Sequence, residues 1–419
     1  MLFQFAWRSL QRNPIRSFLT GSMITIGTSL LIIGVSWIFG IQSSVINTMI
    51  QANGKIRITT VAFAQKELQL PIAENIVNTE RITTLLSQEA SINAIYTRLA
   101  QPVIWFREGE KQQENIAIFT GISAEYYQEQ LQIKTKLLDG SIFQNKEEII
   151  IGKTLAKKQQ LFLGDALFLF GQTQDGSISS MKMKIVGIAD FGNPAQNQNI
   201  FGSLSAAQWM ADIPKGGTEI LIYSEESGQS IARLMQEKYP FLPEESQTID
   251  RNGVPAPFSI LSWDQREPFH SLLPILFFFD ICLVSSIILV TALGILNTMI
   301  MSLLERKKEL GVLRALGASR FTISKIIFLE TLILAGIAGG FGVLFGSLIA
   351  LGMESIGVPL GAALSGTGNI LAADIVYPDW RIEISIFGLF LSFLMGLLGT
   401  IFPLYHLFRS PIIDSIRAE

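Results

Sequence analysis

At 419 residues the chain is long enough for more than one domain, and its 49% content of hydrophobic residues is typical of a membrane protein rather than a soluble one. The formal net charge of −3 argues against a polyanionic partner such as a nucleic acid. The single cysteine, Cys282, excludes an internal disulfide.

The amino-terminal part predicts a cytosolic segment followed by a membrane helix. Residues 1–17 mix arginines with aromatic and aliphatic side chains, which is typical of an amphipathic segment at the inner membrane surface. Residues 18–44 contain an apolar run that exceeds the roughly 20 residues needed to cross a bilayer. Because the apolar core of a cleavable signal peptide is only about 7–15 residues long, we expect an uncleaved first transmembrane helix.

Residues 45–270 predict a soluble domain of the α+β class. Hydropathy falls here and period-two alternation appears, first in Gly54–Phe63. The segment Val103–Arg107 faces Asn115–Thr120 across a polar turn, which predicts a β-hairpin. The remaining expected elements are strands at Glu148–Ile151, Ala166–Phe170, Met181–Ile188 and Thr218–Tyr223, helices at Gly152–Gln160, Ser205–Met210 (capped by Ser205) and Ser227–Tyr239, and an irregular connector at Pro240–Pro257.

The second half predicts three more transmembrane helices, at 271–304 (with a stalk beyond the bilayer), 321–351 and 384–407. Lysines and arginines occur in the amino-terminal segment, in 305–320 and in the tail 408–419, whereas the loop 352–383 carries only Arg381 beside four acidic residues. By the positive-inside rule, both termini lie in the cytosol and the segments 45–270 and 352–383 lie outside the plasma (inner) membrane. The predicted architecture is an α-helical protein with four transmembrane helices and an extracytoplasmic α+β domain inserted between helices 1 and 2.

The stretch Glu305–Arg320 carries the densest charge of the second half and lies between two predicted membrane helices. Its leucines recur every three residues and would form one apolar edge of a short cytosolic helix. Gly317 is a candidate C-cap of that helix, and Ser319 is a candidate N-cap of the next one. A solvated loop that obeys the positive-inside rule explains the spacing equally well, so both interpretations stay open from the residues alone.

The third predicted membrane helix contains glycines at small-xxx-small spacing. The pairs are Gly336 with Gly340 and Gly342 with Gly346, and this spacing lets two helices approach closely. Packing within the subunit and packing across a dimer both fit the pattern.

Two ionisable residues, Asp280 and Glu330, fall inside or near the predicted hydrocarbon region. Each costs at least a few kcal/mol there unless it is paired or hydrated, so both are candidate functional residues. A structural hydrogen bond explains Glu330 as well as a transport role does.

The sequence does not contain the catalytic motifs for which it was searched. The triplet at 152–154 reads like the end of a phosphate-binding loop, but Glu147 stands where that loop needs a glycine. The two histidines, His270 and His406, are far apart in sequence, and no Gly-x-Ser-x-Gly motif occurs. We therefore assign no catalytic, cofactor-binding or metal-binding residue, and expect any ATP hydrolysis to occur in another polypeptide.

The charged stretch also matches a family motif. It fits the pattern ER-x-x-E-[IL]-G-[IV]-L-R-A-L-G-A and resembles the signature of FtsX-like (MacB-type) permeases, the membrane subunits of a class of ABC transporters that includes the lipoprotein-release permeases. The opening Ala6–Arg16 and the tail Pro411–Glu419 resemble the same family, as does the order of elements in the predicted soluble domain. The resemblance implies a coupling helix that docks on the ATPase through Glu305, Arg306, Glu309, Leu310, Gly311, Leu313, Arg314, Leu316 and Gly317.

The family also implies the partners of this chain. They are a separate ABC ATPase subunit that binds the ATP, a second permease subunit (identical, or a paralogue in a heterodimer) and membrane lipid; no cofactor and no enzymatic activity are expected of the chain itself. We expect it to transmit ATP-driven motion from the ATPase to the extracytoplasmic domain.

The substrate is left open between three alternatives. Lipoprotein release from the membrane is favoured by the loop 352–383, which resembles the longer loop of the lipoprotein-release permeases. MacB-like efflux of peptides, antibiotics or other amphiphiles, with a periplasmic adaptor, is the second. The third is a mechanical regulator of cell-wall hydrolases that transports nothing. An ion-coupled carrier would need more buried polar groups than Asp280 and Glu330 provide.

Overall fold

The computed structural model describes residues 11, 14–109, 115–192, 195–238, 258–266, 269–305, 312, 317–359 and 375–409. Contacts among these residues define two units. The membrane-helix unit takes the described residues of Met1–Ser44, Pro274–Pro359 and Ile375–Glu419, and the core unit takes those of Val45–Leu273.

The helices and strands interleave along the chain. In order they are α1 (Pro14–Asn53), β1 (Ile56–Thr60), α2 (Val61–Gln65), α3 (Thr79–Leu86), β2 (Ala94–Arg107), β3 (Asn115–Ile122), α4 (Ala124–Glu129), α5 (Ile133–Lys136), β4 (Leu137–Gly140), β5 (Glu148–Gly152), α6 (Lys153–Gln159), β6 (Ala166–Gln172), β7 (Ile178–Ala189), β8 (Ile200–Ser203), α7 (Leu204–Ala211), β9 (Glu219–Tyr223), α8 (Gly228–Lys238), β10 (Phe258–Ser262), α9 (Phe269–Glu305), α10 (Arg320–Ile356), β11 (Val358–Pro359), β12 (Ile375–Val376) and α11 (Ile382–Arg409).

Four of the described helices, α1, α9, α10 and α11, are long and apolar enough to cross a membrane. Each extends beyond the span that the sequence predicts, because hydropathy marks only the apolar part of a helix whose backbone hydrogen bonds continue into polar residues. With 40 residues in α1 and 37 in each of α9 and α10, these three helices are about 55–60 Å long, whereas the hydrocarbon core of a bilayer is about 30 Å thick.

The membrane-helix unit has its own apolar core between α1, α10 and α11. Ile24 and Ile32 of α1 and Ala335 of α10 are fully buried there, and Met395 of α11 is 6% exposed. Small side chains on α10 let the backbones of the neighbouring helices approach closely. Such close packing stabilises helix association in lipid, where the hydrophobic effect does not contribute. In contrast, none of the residues in the most apolar window of α9 is buried.

The core unit is built on one ten-stranded sheet, part of which closes into a barrel. The pairings run in a cycle from β2 through β3, β8, β5, β7 and β6 and back to β2. The 14-residue β2 belongs to two parts of the sheet: Ala94–Arg98 pairs with β9 outside the barrel, and Ile104–Arg107 pairs with β6 inside it. The remaining strands β1 and β10 continue the sheet beyond β9, and β4 pairs with β7.

Large apolar side chains fill the barrel, as expected for one too small to hold a channel. They come from alternate positions on facing strands and are nearly or fully buried: Trp105, Phe119, Leu167, Leu169, Met183 and Ile185. Two further apolar clusters lie outside it, one rich in aromatic rings around Tyr96 and Tyr127, the other packing α3 and α8 against β1 and β9.

The hairpin prediction is confirmed, since Val103 pairs with Ala117 across β2 and β3. The α+β class is not matched in detail: helices and strands alternate, and the pairs β3–β8 and β5–β7 are parallel, so the unit is mixed α/β. The predicted strand Gly54–Phe63 is wrong in its last three residues, because β1 ends at Thr60. There the Thr60 hydroxyl accepts a hydrogen bond from the Phe63 backbone N–H at 3.1 Å and starts α2.

The other predicted strands and helices of this unit are found, with ends that differ by a few residues. One cap differs: α7 is capped by Ser203, whose hydroxyl accepts from the Ala206 N–H at 3.2 Å, and not by Ser205. The sequence analysis does not predict the helices α2, α3, α4 and α5 or the strands β4, β8 and β10. The connector Pro240–Pro257 lies outside the described residues.

Candidate functional site

The predicted coupling stretch lies between the last residue of α9, Glu305, and the first of α10, Arg320. Gly317 has φ +93°, a left-handed conformation that favours glycine. The Ser319 hydroxyl accepts a hydrogen bond from the Thr322 N–H at 3.1 Å, so Ser319 is the N-cap of α10 as predicted. The other predicted coupling residues lie outside the described residues: Arg306, Glu309, Leu310, Gly311, Leu313, Arg314 and Leu316.

Two of the four predicted packing glycines lie against α1. A Cβ on Gly342 would come within 2.7 Å of the Thr28 Cβ, and a Cβ on Gly346 within 3.0 Å of the Ser29 Cα. The contact is reinforced by the Ser29 hydroxyl, which donates to the Gly342 carbonyl at 3.0 Å. This face of α10 therefore accepts the α1 backbone because it has no side chains there.

The other two predicted glycines have different surroundings. A Cβ on Gly336 would lie 3.3 Å from the Phe393 ring of α11, whereas a Cβ on Gly340 would have no described atom within 4 Å. The glycine that α11 approaches most closely is Gly339, where a Cβ would come within 2.3 Å of the Ser392 hydroxyl. Sequence spacing does not reveal which helix faces which glycine.

This difference predicts opposite outcomes for two neighbouring substitutions. Gly342→Leu should destabilise the membrane-helix unit by about 1–3 kcal/mol, since the new side chain overlaps α1. Gly340→Leu is the matched control and should leave stability within about 0.5 kcal/mol, because its position is exposed. Thermal unfolding of the purified chain in detergent measures both, and equal melting temperatures would contradict the assignment of faces.

The two carboxylates that the sequence predicts inside or near the membrane have separate environments. Asp280 on α9 accepts a hydrogen bond from the Gln42 amide on α1 through its Oδ2. Glu330 on α10 is buried, with 8% of its surface exposed. Within the described part of the chain, no group of three or more metal-ligating side chains occurs.

The described end of the loop between α10 and α11 lies against α1. The Asp379 N–H donates to the Ser36 carbonyl at 3.0 Å. Gly40 permits this approach, since a Cβ there would come within 2.3 Å of the Tyr377 carbonyl oxygen. The Arg381 guanidinium lies 5.4 Å from the centre of the Phe39 ring, in cation–π range.

The triplet at 152–154 is structural. Gly152 ends β5, and a Cβ there would come within 2.4 Å of the Asn197 backbone, so only glycine fits. The Lys153 ammonium pairs with the Asp190 carboxylate. Burial opposes ionisation of Asp190, but hydrogen bonds from Lys153, Asn197 and the backbone outweigh it and lower the pKa of this carboxyl.

The sequence analysis missed a buried charged cluster in the core unit, here called the junction cluster. It consists of Arg57, Glu67, Arg98, Glu219 and Arg266. Glu219 lies at its centre: one of its oxygens accepts from Arg57 Nη1 at 2.8 Å and the other pairs with Arg98. Burial tends to raise the pKa of Glu219, but the charges of Arg98 and Arg57 outweigh burial and hold it at about 2.

The junction cluster binds the carboxyl end of α1 within the core unit. Arg98 Nη1 donates to the Ala52 carbonyl at 2.9 Å. Arg266 donates to the Asn53 carbonyl at 3.0 Å and to the Gly54 carbonyl at 2.9 Å. No local signal indicates this cluster, because Arg57 between Ile56 and Ile58 fits the period-two pattern of a half-buried strand, which predicts a solvent-facing side chain.

Two tyrosine hydroxyls complete the contacts at this helix end. The hydroxyl of Tyr126 lies 3.0 Å from the Gln51 carbonyl oxygen, and that of Tyr223 lies 2.9 Å from the same oxygen. Their rings pack with Tyr96 at centroid distances of 5.4 and 5.8 Å. Because burial disfavours the charged form, the pKa of Tyr126 is raised to about 12 and the hydroxyl stays protonated as a donor.

Four of the described helices are long and apolar enough to cross a membrane, and the core unit lies between the first and the second of them along the chain. The model of the MacB-like periplasmic core domain matches residues 17–237, and that of the FtsX-like permease C-terminal matches residues 281–412. The chain belongs to the FtsX-like, MacB-type family of ABC transporter permeases. Membership of this family implies a partner ATPase.

Curated relatives agree with this assignment. The ABC transporter permease YtrF of Bacillus subtilis (strain 168) is 22% identical over 418 residues, which cover 89% of this chain and 88% of YtrF. An uncharacterized ABC transporter permease of Methanocaldococcus jannaschii is 25% identical over 244 residues, 58% of this chain and 56% of that protein. The macrolide export ATP-binding/permease protein MacB of Hyphomonas neptunium is 36% identical over 94 residues, 20% of this chain and 14% of that protein.

Among solved structures, the periplasmic region of MacB from Actinobacillus actinomycetemcomitans is similar, with a TM-score of 0.34 and 13% identity over 51% of this chain and 92% of that one. The extracellular domain of the transporter YknZ from Gram-positive bacteria has a TM-score of 0.32 and 12% identity, over 49% of this chain and 99% of that one.

Proposed function

We propose that this chain is the membrane subunit that carries ATP-driven motion from a separate ATPase to the core unit, on the outer side of the plasma membrane. The observation that carries the proposal is α9, one helix from Phe269 to Glu305. Its 37 residues make it about 55 Å long, longer than the hydrocarbon core is thick. In this proposal the helix transmits a displacement of Glu305 towards Phe269, and Pro274, near its amino-terminal end, is the position at which it can bend.

The orientation follows from charge. Arginines and lysines are concentrated at the amino terminus, in 305–320 and in the tail, which favours a cytosolic location for all three. In this orientation the stretch 305–320 faces a cytosolic ATPase, and the core unit lies outside. The family suggests a second permease subunit, identical or paralogous, that completes the complex.

We propose lipoprotein release as the work that this motion performs. The loop 352–383 resembles that of the lipoprotein-release permeases, and its described end lies against α1 through Asp379 and Ser36. MacB-like efflux is the second candidate, supported by the 36% identity over 94 residues to a protein named for macrolide export.

The first experiment purifies the complex from its native membrane through a tag on this chain and identifies the co-purified proteins by mass spectrometry. We expect an ABC ATPase in every case, and acylated lipoproteins with a second permease if the chain releases lipoproteins. A periplasmic adaptor in their place would favour efflux. A complex without any ATPase would contradict the proposed function as a whole.

A further inference from the structure

The carbonyl groups at the carboxyl end of α1 are satisfied by side chains of the core unit. The last four carbonyls of a helix have no partner within the helix, and in most helices water or a C-cap satisfies them. Here the carbonyls of residues 51–54 accept hydrogen bonds from side chains of the core unit. Those side chains come from four places in the chain: Arg98 on β2, Tyr126 on α4, Tyr223 on β9 and Arg266 after β10.

Arg266 is also attached to the next membrane helix. Its backbone carbonyl accepts a hydrogen bond from the His270 N–H at 2.9 Å, the first turn of α9. Its guanidinium meanwhile holds the carbonyls of Asn53 and Gly54. One residue thus ties the end of α1 to the beginning of α9, and both ties lie within the core unit.

The charges of the junction cluster come closer to balance when the helix end is included. Three arginines face two glutamates, Glu67 and Glu219. The carboxyl end of a helix carries roughly half a negative charge, which offsets part of the remaining positive charge. Separation of α1 from the cluster would therefore leave an uncompensated charge in a buried place.

Arg266 is costly to bury. Burial and the positive charge of Arg57 lower the pKa of Arg266 to about 9, although the charge of Glu219 acts to raise it. The guanidinium therefore stays protonated at neutral pH, in surroundings that disfavour its charge. Among the described residues its Nε has no hydrogen-bond partner, which adds to the cost of burial. The hydrogen bonds to the carbonyls of Asn53 and Gly54 offset part of this cost.

We infer that the junction cluster is the positioning element that passes movement of α1 and α9 into the strands of the core unit. The inference rests on the proposed function. Both helices are attached to one cluster, and the cluster in turn lies on β1, β2 and β9 through Arg57, Arg98 and Glu219. Motion of either helix is thereby delivered to three adjacent strands of one sheet.

The test measures amide hydrogen exchange in the complex of this chain with its ATPase, purified through a tag on the full-length chain. Exchange in the presence of ATP is compared with exchange in the presence of ADP. In the wild type we expect the nucleotide to change exchange in α10 and also in β2 and β9. In Arg266→Met, which removes two charged hydrogen bonds, the nucleotide-dependent change in β2 and β9 should fall roughly tenfold. The change in α10 and the basal ATPase rate should remain, because neither depends on Arg266.

Two further variants separate positioning from structure. Arg266→Lys keeps the charge with a single donor group and should give an intermediate response in β2 and β9. Arg233→Met removes an exposed arginine of the same unit and should behave as the wild type. If Arg266→Met lowers the melting temperature too far for use, the pair Tyr126→Phe and Tyr223→Phe removes only two hydroxyls and should reduce the same response.

Each outcome decides one claim. A folded Arg266→Met variant with a wild-type response in β2 and β9 would overturn the role of the junction cluster and leave the proposed function intact. If the wild type itself shows no nucleotide-dependent change in β2 and β9, the proposed function fails and the inference fails with it.

Discussion

Glu309→Ala or Arg314→Ala is expected to separate ATP hydrolysis from the movement of the core unit. Both residues match the family motif in the stretch that we propose to dock on the ATPase. Truncation of one partner of a buried charge pair at an interface costs about 2–5 kcal/mol, so at least a tenfold loss of coupling is expected. The measurements are the ATPase rate of the purified complex and the ATP-dependent change in amide exchange in β2 and β9.

Lys308→Ala is the matched control for this prediction. It removes a charge from the same stretch at a position that the family motif leaves variable, so coupling should be retained. The melting temperature of all three variants should stay at the wild-type value, because charged side chains are rarely buried in an apolar core and we propose that this stretch contacts the ATPase. Unchanged coupling in both Glu309→Ala and Arg314→Ala would show that this stretch is not the contact with the ATPase.

The long elements could be predicted because their evidence is local. A run of apolar residues longer than a bilayer, or alternation over a strand, is visible in any window of the sequence. The strand pairings that close the barrel, β2 with β6 and β3 with β8, could not be predicted, because these strands come together only in the folded unit. The parallel pair β3–β8 joins segments about 80 residues apart in sequence, and no local pattern encodes such a pairing.

The packing glycines and the junction cluster were less predictable than the long helices and strands. Glycine spacing on α10 indicated close packing but not its direction, so Gly339 was missed and Gly340 was included although its side faces no described atom. The junction cluster was missed because its charges are spread from residue 57 to residue 266, and each one alone is compatible with a solvated side chain. Only the fold brings them to one helix end.

Glu219→Gln should be the most destabilising of the conservative substitutions in the core unit. Glu219 is the buried counter-ion of two arginines, Arg57 and Arg98. Removal of one partner from a buried charge pair typically costs about 3–5 kcal/mol, because the other charge is left uncompensated. Denaturant unfolding of the full-length chain in detergent, followed by the loss of amide protection in β2 and β9, measures the free energy of unfolding.

The control is Glu67→Gln, which changes a partly exposed member of the same cluster. Glu67 pairs with Arg57 alone and its side chain is 28% exposed, so solvent can replace part of the lost interaction. A loss of about 1 kcal/mol is expected for it. Equal losses for the two variants would mean that Glu219 is not the centre of the cluster.

The pH dependence of unfolding gives a second measure of the same residue. The pKa of Glu219 is lowered in the fold from its ordinary value of 4.5 to about 2, so its contribution to stability is complete above pH 4.5 and is lost as the pH falls through about 2. As the pH falls from 4.5 to about 2, the free energy of unfolding should therefore decrease more in the wild type than in Glu219→Gln, because glutamine does not titrate. Parallel curves for the wild type and the variant between pH 5 and pH 2 would contradict the assigned pKa and, with it, the charge balance on which the attachment of α1 depends.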